Sequence, residues 1–165
     1  QLENLVNALP EDLSEERKDI VEYGYKCVGM IPYYWGGKTN KKGLENNNFG
    51  ALTVPDASSH KRTKVGLDCS GFVNFLFNTV LDEYVGTGTA NISDYSYQIS
   101  KNDLKPGDLA FKVAPGSSDN HIGVFAGYNE YGDRVWIHCN GSDNNVSANN
   151  VNYWTYFYRP NCFND

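Results

Sequence analysis

The amino-acid sequence predicts an α+β protein with an antiparallel sheet. Three observations support this prediction: two helix patterns come first along the chain, four strand patterns follow them in succession, and the sequence contains no internal repeat. The chain has 165 residues, of which 40% are hydrophobic and 21% are charged. These values are ordinary for a globular protein and fit a single domain.

The first helix pattern extends from Ser14 to Val28. Ser14 is a favourable N-cap residue, and the glutamates that follow it lie where the helix dipole favours negative charge. One face of this helix is apolar and contains Ile20, Val21, Cys27 and Val28. Residues 1–13 show no such pattern, so we expect them to be a linker or a trimmed extension, with the domain itself at 14–165.

The second helix pattern extends from Cys69 to Glu83 and is apolar over much of its circumference, which predicts a buried helix. A polar stretch without periodicity, residues 39–65, separates the two helices and reads as a long loop. A short third helix is expected to begin at a Ser93 cap.

Four strand patterns follow, at residues 109–113, 122–128, 134–139 and 153–158. Pro106 and Gly107 precede the first of them in the order of a type II turn. Residues 129–133 contain a glycine and link the second and third strands as a hairpin. Helices followed by consecutive strands are typical of the α+β class.

Charge and cysteine content exclude several classes of function. The net charge is −6 and the pI about 5.0, which argues against a nucleic-acid partner and against an anionic membrane surface. No apolar run is long enough to span a bilayer. The four cysteines form no C-x-x-C pair, so we expect neither a metal site nor a cofactor, and too few disulfides for a disulfide scaffold.

The strongest local signal for chemistry is the segment 66–71, which runs directly into the second helix. Asp68 can cap this helix, and Cys69 then lies in its first turn, where the helix dipole favours the thiolate. The competing interpretation is a buried cysteine that packs as a small hydrophobic residue. The polar neighbours Asp68 and Ser70 make that burial less favourable.

A nucleophilic cysteine needs an imidazole to take its proton and a third group to orient that imidazole. His121 opens one strand and His138 lies in the next, so their rings can meet across strands about 4.8 Å apart. His60 lies in the polar loop and is expected to be a solvated surface residue. Taken alone, His138 fits a hydrogen-bonded core histidine better than a catalytic residue, but three converging partners favour a catalytic site.

Five motifs in this order resemble the NlpC (NlpC/p-sixty) family of bacterial cell-wall cysteine peptidases. They are 32–37 (PYYWGG), 66–73 (GLDCSGFV), 104–109 (LKPGDL), 121–124 (HIGV) and 137–138 (IH). The resemblance covers roughly residues 20–163. It implies a papain-like fold, in which the sheet packs against a helix with the nucleophile at its N-terminus, and a domain at 14–165 that is catalytic.

The resemblance also implies roles. Cys69 matches the nucleophile, His121 the general base and His138 the residue that orients it. Tyr33 matches an oxyanion-stabilising tyrosine, while Asp68 and Ser70 match positions that shape the substrate pocket. These enzymes are secreted and typically cleave peptidoglycan stem peptides between D-glutamate and a diamino acid. We expect a monomer that acts through a thioester.

Residues 39–65 are longer than the corresponding segment of the family and are expected to rim the substrate groove as an insert. Three alternatives stay open. One is a peptidoglycan amidase of the related CHAP type, and another is a non-catalytic wall-binding module. The third is a metal site made from Cys69, His121 and His138, although the usual ligand spacings are missing.

Overall fold

Three α-helices precede the sheet along the part of the chain that the computed structural model describes, residues 2–49 and 65–165. They are α1 Leu2–Asn7, α2 Glu15–Cys27 and α3 Cys69–Leu81. Single 3-10 turns lie at Leu44–Asn46, Ile92–Tyr95 and Lys101–Asp103. His60 and residues 50–64 of the expected insert lie outside the described residues.

The described strands form one six-stranded sheet in the order β1-β6-β2-β3-β4-β5. Each pairing between neighbours is antiparallel, as the sequence predicts. The strands are β1 Ser96–Ile99, β2 Leu109–Phe111, β3 Ile122–Tyr128, β4 Arg134–Asn140, β5 Asn145–Asn149 and β6 Tyr156–Pro160. The active-site candidates therefore fall on the central strands β3 and β4 and on the helix packed against them.

The sheet separates two apolar clusters. On one face, α2 and α3 pack against β3 and β4, with Phe72, Val124 and Ile137 fully buried in the main core. A smaller aromatic cluster covers the other face and contains Ala110, Phe125, Trp136, Trp154 and Phe157. Alternate residues of β4 thus serve different clusters, as the twofold repeat of a strand requires.

The predicted elements differ from the structure mainly at their ends. Helix α2 has the expected Ser14 cap, whose side chain accepts a hydrogen bond from the Arg17 N–H, but the helix ends at Cys27. Val28 is the C-cap residue and is 38% exposed, so it does not belong to the buried face. The helix expected at Ser93 is a 3-10 turn that begins at Ile92 behind Asn91.

Residues 1–13 are more ordered than the sequence pattern indicates. Residues 2–7 form α1, and the side chains of Leu9 and Leu13 are buried in the main core. The pattern was missed because six residues are too few to show a helical period. The segment expected to be a linker therefore contributes apolar contacts to the domain.

A buried ionic cluster joins distant parts of the chain. The Asp108 carboxylate is fully buried and lies 3.0 Å from Arg17 Nη1 and 2.9 Å from Arg159 Nη2. Arg17 Nε also lies 2.9 Å from Asp165 Oδ1. Because an unpaired buried charge is costly, these pairs hold α2, β6 and the last residue together.

The described cysteines Cys27, Cys69, Cys139 and Cys162 all carry free thiols. Cys139 is fully buried on the face of β4 opposite His138, as strand alternation predicts, and its Sγ lies 3.2 Å from the Leu67 carbonyl oxygen. Among residues 2–49 and 65–165, no helix has both the length and the apolar character needed to cross a bilayer.

Candidate active site

Cys69 is the first residue of α3, and its position is set by the residues on either side. The Asp68 side chain caps the helix by accepting a hydrogen bond of 2.7 Å from the Gly71 N–H. The backbone amides of Ile122, at the start of β3, and of Ser70 lie close enough to the Cys69 sulfur to act on the pKa of its thiol. The side chain is 8% exposed, so the nucleophile candidate is nearly closed off from solvent.

Burial dominates the acidity of this thiol. It raises the pKa of Cys69 to about 11, and the neighbouring Asp68 carboxylate acts in the same direction. The backbone N–H groups of Ile122 and Ser70 and the ammonium of Lys38 lower the pKa by less. The Ser70 amide at the helix start acts in the expected direction and favours the thiolate, but desolvation of the buried sulfur is the larger effect.

The two histidines meet as expected from neighbouring strands. His121 immediately precedes β3. His138 lies on β4 beside Gly123, which follows His121 by two residues. The distance between His121 Nε2 and His138 Nδ1 is 2.8 Å, and the rings are tilted by 69°. His138 is 2% exposed, and its ring nitrogens lie within hydrogen-bonding distance of His121, Asn149 and Asn140.

Asn149 on β5 fixes the direction of this hydrogen-bonded chain. His138 Nε2 lies 2.9 Å from Asn149 Oδ1, and the same oxygen also accepts from the Val151 N–H. An amide oxygen can only accept, so His138 Nε2 carries the proton and its Nδ1 accepts from His121 Nε2. The Nδ1 atom of His121 is then the basic nitrogen of the ring, available to receive a proton.

Desolvation keeps the His121 ring neutral. Burial lowers the pKa of His121 to about 3, and His138 and Lys112 reinforce that shift. Burial also lowers the pKa of His138, while Asn149 and Asp143 oppose the shift. A neutral imidazole is the form that a general base needs.

Trp154 forms a wall over the histidine pair and was not singled out from the sequence. Its ring stacks on His121 at 5.4 Å between centroids and meets His138 edge-on at 5.6 Å. The indole N–H donates to the Val151 carbonyl, which fixes the ring. Gly123 makes this arrangement possible, because a Cβ there would come within 2.8 Å of the Trp154 ring.

The remaining candidates lie on the other side of Cys69. Ser70 is 3% exposed, and its hydroxyl contacts Asp68 Oδ1 at 3.3 Å and donates to the Thr87 carbonyl at 3.1 Å. Tyr33 forms a backbone bridge with Leu67, two residues before the nucleophile, and its ring lies beside Gly141. Tyr33 is thus near the site, and its role at the oxyanion stays a prediction.

Lys38 is a further residue that the sequence patterns did not identify. Its ammonium lies 2.6 Å from both carboxylate oxygens of Asp68 and 3.0 Å from Ser70 Oγ. Two clefts open beside it, of about 620 Å³ and 290 Å³, and Lys38 and Thr39 line both. No local pattern of the sequence singles out Lys38, because its contacts with Asp68 and Ser70 join residues 30 and 32 positions apart.

Within residues 2–49 and 65–165, no group of three or more His, Cys, Asp and Glu side chains has the arrangement of a metal site. Cys69, His121 and His138 therefore do not form the metal site considered as an alternative. The arrangement is instead a thiol next to a hydrogen-bonded line of His121, His138 and Asn149. Such a line can move one proton between sulfur and a substrate nitrogen.

Comparison with known proteins points in the same direction. The family model described as NlpC/P60 family matches residues 29–161. The murein DD-endopeptidase MepS/murein LD-carboxypeptidase of Escherichia coli (strain K12) is 31% identical over 93 residues, which are 56% of this chain and 46% of that protein. The chain thus spans about half the length of the curated relatives that it matches first.

Solved structures agree with the fold. The NlpC/p60 domain of the peptidoglycan hydrolase SagA is 25% identical, with a TM-score of 0.60 over 87% of this chain and 97% of that one. RipD of Mycobacterium tuberculosis, described as a non-catalytic NlpC/p60 domain protein adapted to peptidoglycan binding, has a TM-score of 0.60 at 14% identity. The match covers 90% of this chain and 99% of the RipD chain, and at this identity it shows only that the folds are similar. These neighbours confirm the papain-like α+β fold.

Proposed function

The chain belongs to the NlpC/P60 family, and on that premise we propose that it is a secreted bacterial cell-wall hydrolase that cleaves peptidoglycan stem peptides. The bond is the one between D-glutamate and the diamino acid that follows it. The observation that carries the proposal is the hydrogen-bonded line from His121 through His138 to Asn149. This line begins beside Ile122, whose backbone amide acts on the Cys69 thiol. A relative named as a murein endopeptidase and a neighbour named as a peptidoglycan hydrolase support the substrate class.

Acylation begins at the buried thiol. As the Cys69 sulfur attacks the carbonyl carbon of the D-glutamyl amide, its proton moves to Nδ1 of His121. The imidazolium formed is stabilised because its Nε2–H already donates to His138, which Asn149 holds in the accepting tautomer. The Cys69 N–H at the start of α3, together with the Tyr33 hydroxyl, supplies donors to the oxyanion.

Collapse of the tetrahedral intermediate completes acylation, the first half of the reaction. The carbon–nitrogen bond breaks, the leaving amine takes the proton from His121, and a thioester to Cys69 remains. A water molecule then gives a proton to His121 and attacks the thioester. The carboxylic acid of the D-glutamyl fragment departs, and His121 returns the proton to the sulfur.

Digestion of purified peptidoglycan tests this proposal. Mass analysis of the soluble fragments should show a new carboxyl end on D-glutamate and a new amino end on the diamino acid. Complete stem peptides with a free amino-terminal alanine would instead identify an amidase. Binding to the wall without any new ends would identify a non-catalytic module, for which RipD gives a precedent within the fold.

A further inference from the structure

The ammonium of Lys38 contacts Asp68 and Ser70, the two polar residues that flank Cys69. It contacts both Asp68 carboxylate oxygens at 2.6 Å and Ser70 Oγ at 3.0 Å. The Asp68 side chain is 15% exposed and the Lys38 side chain 38% exposed. The Lys38 ammonium thus forms charge-assisted hydrogen bonds to both residues that flank Cys69, with Asp68 mostly buried and Lys38 itself partly exposed.

The backbone around the double glycine explains why Lys38 reaches this position. The Asp68 N–H donates to the Gly37 carbonyl at 3.1 Å, and a Cβ on Gly37 would overlap the Gly66 carbonyl. Only glycine permits this close approach. The chain therefore passes directly beside the start of α3, and the next side chain, Lys38, extends over Asp68.

The pair lies on the acyl side of the substrate. His121 must deliver a proton to the leaving amine, so the leaving group lies on the side of His121 and Trp154. Asp68 and Ser70 lie at the start of α3, and the residues that line the two clefts beside Lys38 include neither His121 nor Trp154. The D-glutamyl residue and its amino-terminal neighbour therefore extend towards Lys38.

We propose that Lys38 is a specificity-determining residue: its ammonium fills the anionic pocket of Asp68 and Ser70, so the site rejects stem peptides with a free amino end and takes those whose amino end is acylated. This inference rests on the proposed function. An unpaired Asp68 carboxylate would attract an ammonium. In the occupied pocket this carboxylate is already paired with Lys38, so it does not bind the amino end of a peptide, and the Lys38 ammonium attracts the α-carboxylate of D-glutamate. Stem peptides attached to a glycan strand have an acylated amino end.

The test uses two synthetic stem peptides that differ only in a free or an acetylated amino end. The wild-type protein should cleave the acetylated peptide with a kcat/KM at least about tenfold higher, because like charges brought together are unfavourable. Lys38→Met should lower that ratio at least about fivefold, and Lys38→Arg should keep it. Lys26→Met, which removes an exposed lysine paired with Glu22 on α2, is the matched control and should leave the ratio unchanged.

Calorimetry measures binding of the same peptides to Cys69→Ala and to Cys69→Ala/Lys38→Met. It distinguishes a failure of the role inferred for Lys38 from a failure of the proposed function. Preference for the acetylated peptide that disappears without Lys38 supports the inference even if nothing is cleaved, in which case only the proposed function fails. Equal use of both peptides by the wild type, or a ratio that Lys38→Met leaves unchanged, would overturn the inference. Absence of both cleavage and binding would overturn both.

A second readout separates this role from a merely structural one. Lys38 lowers the pKa of Cys69 while Asp68 raises it. Lys38→Met should therefore move alkylation of Cys69 to higher pH, whereas Lys38→Arg should not. A profile unchanged in Lys38→Met, with the same thermal midpoint, would contradict the electrostatic part of the assignment.

Discussion

At the scale of single residues, the Cys69 sulfur and the His121 ring are both held in their neutral forms. Burial raises the pKa of the thiol to about 11 and lowers the pKa of the imidazole to about 3. The thiolate is therefore scarce in the unliganded protein at pH 7, and the imidazole is unprotonated. In the proposed mechanism, proton transfer therefore accompanies the attack on the substrate, and Asn149 and His138 hold the accepting ring of His121 in place.

Alkylation of Cys69 by iodoacetamide should reflect this neutral pair. Because only the thiolate reacts, the rate in the unliganded protein should keep rising above pH 9, towards the raised pKa. Peptide mapping after labelling identifies the modified cysteine, and the fully buried Cys27 should react more slowly. A rate that already reaches its plateau near pH 6 would reveal a preformed thiolate–imidazolium pair.

Substitutions along the proton line should differ in severity. His121→Ala removes the group that accepts and returns the proton, so we expect kcat to fall by roughly 10²–10⁴-fold. His138→Ala should cost less, since water can replace part of an orienting ring, and Asn149→Ala less again. Tyr33→Phe should lower kcat by at most about 10²–10³-fold. Steady-state kinetics of variants with unchanged thermal midpoints provides the comparison.

The assignment of the base depends on that order. An inactive His138→Ala protein beside a His121→Ala protein of near-normal turnover would make His138 the base. Gly88→Ala serves as the control for handling and folding, because a Cβ at Gly88 meets nothing closer than 3.8 Å.

At the scale of elements, the site depends on the close contact between the double-glycine segment and the start of α3. Leu67 bridges Tyr33, and its N–H donates to the Pro32 carbonyl at 3.0 Å. Gly37→Ala would push a methyl group into the Gly66 carbonyl and should reduce the free energy of unfolding by roughly 2–3 kcal/mol. Denaturant unfolding of Gly37→Ala and of the control Gly88→Ala measures this loss of stability. Equal free energies of unfolding for the two variants would refute this close packing.

The elements differ in how far the sequence could predict them. Helix α3 and strand β3 were predictable because their apolar residues follow a clear pattern, and β3 has the predicted bounds. Strands β1 and β5 were not, because they are only four and five residues long and contain few large apolar side chains, and their pairing is set by neighbours such as Tyr158 and His138. Asn149, which orients His138, lies on one of these unpredicted strands.

At the scale of the whole molecule, the sequence could predict the three chemical groups better than their surroundings. Cys69, His121 and His138 belong to motifs whose residue types themselves indicate the chemistry. Trp154 and Lys38 are far in sequence from the residues that they contact, which are His121 and Asp68 respectively. No local pattern reveals such contacts, because they arise only when the loop before β6 and the double-glycine segment fold onto the site.

Because the main stabilising contacts of the fold lie away from Cys69, the role of this proposed nucleophile can be tested without a loss of stability. The Arg17–Asp108–Arg159 cluster and the main core hold the helices and the sheet together at a distance from the sulfur. Cys69→Ala removes one nearly buried sulfur atom at a helix start and leaves these contacts in place. A loss of activity in a variant with an unchanged thermal midpoint therefore reports on chemistry.

The most direct test compares wild-type protein, Cys69→Ala and the matched control Cys162→Ala for release of peptide fragments from purified peptidoglycan. The account requires that Cys69→Ala release no fragments while keeping the wild-type thermal midpoint, because the thioester forms on the Cys69 sulfur. Cys162→Ala should release them at the wild-type rate. Release by Cys69→Ala at a rate comparable to that of the wild type would contradict a cysteine peptidase centred on Cys69.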